Sequence, residues 1–240
     1  MERFLGRLIS PTLAVVEEDL RHLKVKRVKV GDIVEVLEEA SLKPYLCKLV
    51  SLEKRRAVFE IVKELTPNIP RAFVRLYQCV PVKVSTFDEI VQRATEVGVS
   101  QIVPVISKRS FQKLPVIEEK IARWNRIVRE SLKQCGRHHL PQILPPVRLE
   151  DVNPEGEYLN LFAFEREENN NLFKVLKFKT PSKGANIIVG PEGGFSKEEA
   201  QSLVNRGFLP VSLGNFTLRA ETASVAVTFA VYNALATSDK

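Results

Sequence analysis

Two glycine-containing segments near the carboxyl end carry the residue types from which a ligand site could be built. The first reads Ile187-Ile188-Val189-Gly190-Pro191-Glu192-Gly193-Gly194-Phe195-Ser196. An apolar run of strand type enters a loop whose glycines let ligand atoms approach the backbone closely. Ser196 and Glu199 then form a capping box that opens a helix ending near Gly207. Loops of this kind often cradle a phosphate. These residues argue against one, because neither a Gly-Lys-Ser/Thr ending nor a GxGxxG is present. Glu192 lies inside the loop, and Glu198 and Glu199 occupy the first helical turn, where carboxylates repel phosphate. The loop suits a neutral or cationic ligand; a turn with helix-favouring acids is the plainer alternative.

The second segment is Val211-Ser212-Leu213-Gly214-Asn215-Phe216-Thr217-Leu218-Arg219-Ala220-Glu221-Thr222-Ala223. Again an apolar strand ends in glycine, loops and enters a helix. Glycine loops at the carboxyl ends of strands are where α/β sheets bind ligands. Arg219 and Glu221 would stand near that edge. A structural ion pair at a helix start is the competing reading.

The elements that must position these loops follow from the rest of the chain. Residues 1–66 read as β-rich, with two runs around the Gly31-Asp32 turn in 28–36 and further strands at Tyr45–Leu52 and Arg56–Val62, which predicts a small barrel. Pro67 and Pro70 mark a linker over 65–70. From residue 71 to 240 strands and helices alternate, which predicts an α/β domain with a mostly parallel sheet. Its strands are expected at Ala72–Val80, Ile102–Ile106, Tyr158–Phe164, Asn186–Val189 and Leu209–Leu213. Helices are expected from Thr86, with Glu89 completing a capping box, to Gly98; over Val116–Arg137; from Ser196 to Gly207; and over Ala220–Ala236. The last of these is small and apolar all round, which suits a subunit interface as well as a core.

The 240 residues have ordinary globular proportions, 44% hydrophobic and 27% charged, which excludes a disordered or collagen-like chain. The net charge of +7 is local: 71–150 holds 14 basic and 7 acidic residues, whereas the segments on either side nearly balance. A basic segment suits a polyanion or is simply a solvated surface. In Val116–Arg137, Ile117, Ile121, Trp124, Val128 and Cys135 share one face, with Arg123, Arg126, Lys133 and Arg137 opposite. Cys47, Cys79 and Cys135 are odd in number and lack CxxC spacing, so a reducing compartment is expected and no disulfide framework. His22, His138 and His139 do not make a metal set, so no metal is expected. Met1-Glu2-Arg3 begins no secretory signal, and the longest uncharged stretch, Thr222–Ser238, is too short and polar for a membrane span. A cytoplasmic protein is expected.

The segments "IIVGPEGGFSKEEA" and "VSLGNFTLRAETASVAV" resemble the signature of the RsmE family of bacterial methyltransferases. "RATEVGVSQIVPVISKRS", "KIARWNRIVRESLKQCGRHHLPQI" and "HLKVKRVKVGD" extend the resemblance along the chain. Phe216-Thr217 departs from the family's usual pair in the second loop. The resemblance implies an N-terminal PUA-like barrel over 1–66 that binds RNA, and a SPOUT-type α/β domain over 71–240 with a trefoil knot. It implies transfer of a methyl group from S-adenosylmethionine to N3 of a uridine in 16S ribosomal RNA of the small subunit, within an assembled subunit, by a homodimer. On that footing the cofactor residues are Phe162, Phe164, Gly190, Glu192, Gly194, Leu213, Gly214 and Leu218. Arg219 would stabilise negative charge on the uracil, with Glu192 or Glu221 as base or as support for Arg219. RNA phosphates would meet Arg3, Arg7, Arg27, Lys108, Arg109, Arg126 and Arg137. The competing readings are a SPOUT enzyme for transfer RNA or a ribose hydroxyl, a non-catalytic RNA-binding module, and a nucleotide-phosphate enzyme.

Overall fold

The computed structural model describes residues 1–178 and 183–237; residues 238–240, at the end of the expected second domain, lie outside the described part. The chain forms two compact units, one of residues 1–69 and 132–140 and one of residues 70–131 and 141–240.

In the first unit β1 (Arg3–Ser10), β2 (Leu13–Val16), β3 (Ile33–Glu38), β4 (Pro44–Leu52) and β5 (Ala57–Glu64) close a barrel in the order β1-β2-β5-β4-β3, with β3 parallel to β1. Alternation along the strands turns Phe4, Ala14, Val16, Val34, Val36, Leu49 and Phe59 into one core. Gly6 is required at a close approach: a Cβ there would sit 2.7 Å from the Val15 carbonyl oxygen. The expected pair of β runs in 28–36 is corrected, since only the part from Ile33 is a strand. A short helix, α1 (Leu20–Val25), precedes it, and residues 28–32 form a turn. Asp32 accepts from the Lys29 N–H, and Gly31 takes φ +99°, which breaks the β run.

Segment 132–140 is fastened to this barrel by buried charge. Lys133 Nζ lies 2.6 Å from Asp19 Oδ1, and Arg3 Nε donates to Glu35 Oε1 at 2.5 Å. His138 Nε2 meets the same carboxylate at 2.8 Å, while its Nδ1 accepts from the Asn68 N–H at 2.7 Å. The Nδ1 contact places the imidazole proton on Nε2, aimed at Glu35. Burial pushes the Glu35 carboxyl up, but the hydrogen bonds from Arg3 and His138 and the charge of Arg3 outweigh it and hold it below the usual glutamate range. The placement of Lys133 and Arg137 on a solvated stripe is corrected too, because both are 7% exposed.

The second unit is a seven-stranded sheet, and its strand pairs are parallel. β6 (Val74–Cys79), β7 (Gln101–Ile106), β8 (Gln142–Ile143), β9 (Val147–Arg148), β10 (Tyr158–Ala163), β11 (Gly184–Val189) and β12 (Leu209–Val211) run in the order β12-β10-β11-β6-β7-β8, with β9 also on β7. β11 is buried at each of its positions, as an apolar run covered on both faces must be.

Helices α2 (Ser85–Glu96), α3 (Leu114–Cys135), α4 (Leu172–Phe178), α5 (Lys197–Arg206) and α6 (Ala220–Ala236) complete the described chain. Ser196 caps α5 in a full capping box, and Gly207 ends it at φ +101°. The Thr86 cap is corrected. Val84 precedes the first turn of α2, so Thr86 lies within the helix and its side chain makes no cap. On α3, Ile117, Trp124 and Val128 are buried, and Trp124 stacks on Phe87 at 4.3 Å and donates to Asp88. The chain leaves β12 at the sheet edge, crosses back, and packs α6 on β6, β11 and α2. The unit thus has the SPOUT-type α/β architecture, and this return brings the two glycine loops together.

Candidate active site

A cleft of about 760 Å³ opens at the carboxyl ends of β10, β11 and β12, a volume suited to a nucleoside-sized ligand. Gly190–Phe195 forms one side, Ser212–Leu218 another, and Arg219, Glu221 and Ala223 of the α6 start a third. Leu213, Gly214, Leu218, Gly190, Gly194, Phe164 and Glu192 therefore line one cleft.

The loop after β11 is braced from several sides. Gly194 N–H donates to the Pro191 carbonyl at 2.9 Å, and Gly194 takes φ +63°. A Cβ on Gly194 would come 2.9 Å from Glu165 Oε1, and one on Gly190 would meet the Phe195 ring at 3.2 Å. Arg109 donates to the Gly193 carbonyl at 2.7 Å, and its stem lies against Gly193. Lys108 N–H donates to Glu199 at 2.7 Å. Glu192 Oε2 accepts from Val82 N–H at 3.1 Å, which ties the loop to the segment after β6.

A buried amide joins the same loop to α6. Gln78, fully buried in β6, donates through Nε2 to the Cys79 carbonyl at 2.9 Å and reaches the Gly190 carbonyl at 3.5 Å. Ser224 Oγ is hydrogen-bonded to Gln78 Oε1 and lies 2.6 Å from the Ala220 carbonyl, one turn back. Gln78 thereby sets the first turn of α6, and with it Arg219 and Glu221, against the loop of Gly190.

The electrostatics of the cleft are mixed. Glu89, Glu165, Glu192 and Glu221 line it together with Lys83 and Arg219. Arg219 is exposed with extended backbone at the α6 N-cap, and Glu221 follows in the first turn. Glu89 is paired with Arg93 at 3.1 Å and Glu165 with Arg166 at 3.7 Å, so the cleft is of mixed charge and lacks the basic lining that a polyphosphate needs. Burial pushes the Cys79 thiol up to about 12, so it is inert near this site, and Cys47 in the barrel is equally raised.

Several sequence-expected residues fall elsewhere. Phe162 is fully buried beneath the cleft, edge-on to Phe195 at 5.9 Å, and is a core residue. Phe164 lies just past the last strand residue and reaches the cleft. Arg3 is engaged by Glu35 and Arg137 is buried, so neither presents a free surface to RNA. Lys108 and Arg109 hold the glycine loop and first turn of α5. Arg7, Arg27 and Arg126 are exposed, Arg7 with Glu17 at 3.4 Å. Lys83, Thr86, Glu89, Glu165 and Gln78 were missed. Thr86 and Glu89 were hidden by their capping-box spacing, whereas Glu165 directly follows Phe164 and the strand-end argument could have found it. Among the described residues no cluster of His, Cys, Asp or Glu could hold a metal ion. No described helix is long and apolar enough to cross a membrane.

The RNA methyltransferase domain model matches residues 69–232, which includes both glycine loops. Ribosomal RNA small subunit methyltransferase E of Aquifex aeolicus is 40% identical over 224 residues, covering 92% of this chain and 94% of that one. This chain belongs to the same family, the small-subunit ribosomal RNA methyltransferases E. The crystal structure of the Neisseria gonorrhoeae family protein bound to S-adenosyl methionine superposes with a TM-score of 0.82 at 30% identity, covering 97% of each chain. A Legionella pneumophila methyltransferase in complex with the same cofactor gives 0.82 at 26%, covering 98% of each.

Proposed function

We propose that this protein transfers the methyl group of S-adenosylmethionine to N3 of a uridine in 16S ribosomal RNA of the small subunit. The observation that carries the reading is the cleft itself, where two glycine loops at the sheet's carboxyl edge meet Arg219 and Glu221. When bound, S-adenosylmethionine supplies an electrophilic methyl on a sulfonium that leaves as a neutral thioether. The fit rests on the donor set: exposed loop backbone for a neutral adenine, and carboxylates for a cationic sulfonium.

Uridine N3 bears a proton and becomes nucleophilic as that proton leaves. Arg219, its exposed charge carried on the fixed start of α6, stabilises the negative charge that spreads onto the uracil oxygens. Glu221 is the proton acceptor or orients Arg219. Gly190, Gly194, Leu213, Gly214 and Leu218 present backbone to the cofactor, with Phe164 beside them. RNA binding is assigned to the barrel of residues 1–66 and methyl transfer to residues 71–240, of which 132–140 belongs to the barrel unit. Arg7, Arg27 and Arg126, exposed and outside the cleft, contribute phosphate contacts. The protein works in the cytoplasm on an assembled subunit and as a homodimer. The exposed Phe229 on the largely apolar α6 supports the dimer.

S-adenosylmethionine should raise the melting temperature of the protein, whereas ATP and NAD should not. With methyl-labelled cofactor and unmodified small subunits, label should enter the RNA. RNA binding without any cofactor-dependent stabilisation would replace this reading with a pure binding module.

A further inference from the structure

Lys83 stands in the wall of the cleft. It lies in the segment after β6, is exposed, and lines the same cleft as Arg219 and Glu192. Among the described residues its ammonium makes no ion pair, although carboxylates line the cleft. Its backbone is better fixed than its side chain. Glu192 accepts from the N–H of the preceding residue, Val82, at 3.1 Å, so the loop of Lys83 is held to the loop of Gly190–Gly194.

We infer that Lys83 binds the backbone phosphate flanking the target nucleotide, and that Glu192 is the positioning residue that sets Lys83 against the methyl-donor site. This rests on the methyltransferase reading above. The chemistry divides the two cations of the cleft. Arg219, at the start of α6 beside Glu221, presents a planar fork of donors suited to the charge that develops on the uracil oxygens. Lys83 instead carries a compact ammonium that makes no side-chain hydrogen bond among the described residues, which suits a point-charge phosphate contact. An RNA strand entering a cleft with four carboxylates also needs a local cation to offset their repulsion. The role of Glu192 follows from its bond: a carboxylate already accepting a backbone N–H holds a loop, and that task needs an acceptor oxygen rather than a base.

The test uses the full chain, unmodified small subunits and S-adenosylmethionine. Lys83→Gln should weaken subunit binding roughly fivefold and lower the slope of log affinity against log salt by roughly one, with the loss falling on KM rather than kcat. Lys83→Arg should restore both. Cofactor affinity, read by calorimetry without RNA, should stay at the wild-type value. Glu192→Ala should weaken subunit binding as Lys83→Gln does, and the double variant should be little worse than either single one. Glu192→Gln, which keeps an acceptor for Val82 N–H, should recover most of what Glu192→Ala loses. A fall in kcat at unchanged KM for Lys83→Gln, or an unchanged salt slope, would overturn the phosphate assignment. Glu192→Gln as inactive as Glu192→Ala would make Glu192 a base and overturn its positioning role. Wild-type protein that binds subunits but transfers no methyl would defeat the methyltransferase reading instead, and the salt slope would still report on Lys83.

Discussion

The barrel and the sheet's carboxyl edge use the same side chains to opposite ends. In the barrel unit, charge is buried and matched: Arg3 and His138 share Glu35, and Lys133 meets Asp19. In the cleft, Arg219, Glu221 and Lys83 make no ion pair among the described residues. Glycine divides likewise. Gly6 lets two barrel strands approach, whereas Gly194 and Gly214 take φ +63° and +133° and shape loops. A charge consumed by a fixed partner stabilises the fold, and a charge left unconsumed is available to a ligand.

The largest effect that would test this division lies in the barrel. Glu35→Ala strands Arg3 and should cost about 3–5 kcal/mol of stability, read by denaturant unfolding, while cofactor affinity of the folded protein stays unchanged. A loss of cofactor affinity as large as the loss of stability would erase the distinction. Next, Arg219→Ala should lower turnover by about 10²-fold with an unchanged melting temperature. Unchanged turnover would remove Arg219 from the chemistry. Gly190→Val drives a side chain toward the Phe195 ring and should weaken cofactor binding about tenfold or more; full affinity by calorimetry would show that the loop backbone is not in contact.

Smaller effects sharpen the comparison. Arg109→Ala frees the Gly193 carbonyl and should raise the cofactor Kd by about fivefold, within the range of one charge-assisted bond partly screened by solvent. A changed salt slope for RNA with an unchanged Kd would return Arg109 to the phosphate footprint. The smallest effect is with pH. The Glu35 carboxyl sits below its ordinary 4.5 in the folded protein, so its contribution is present above that pH and is lost as the pH falls further. Wild type should therefore lose stability in that acid window, and Glu35→Gln should lose less; equal slopes would separate the buried pair from acid unfolding.

Much of the cleft was legible in sequence because its determinants are local. The capping box at Ser196, the αL glycine at 207 and the bounds of α6 are set by residues within a turn of each other. Both glycine loops announced themselves in the same way. What sequence misplaced depends on distant partners. Arg3 and Glu35 meet across paired barrel strands, and Lys133 finds Asp19 from a helix whose periodicity put it on the polar face. Thr86 shows a local signal overruled: the first turn of α2 starts at Ser85, before the expected cap, so Thr86 lines the cleft and Glu89 lines it while paired with Arg93. Phe162 and Phe164 point to one face, and only the end of β10 between them separates core from site.

The central claim is that the two-loop cleft methylates a uridine base. Unmodified small subunits incubated with the protein and methyl-labelled S-adenosylmethionine, then digested to nucleosides, test it directly. The account predicts label in 3-methyluridine alone, approaching one methyl per subunit. Label in another nucleoside, or in none while the RNA is bound, would contradict it.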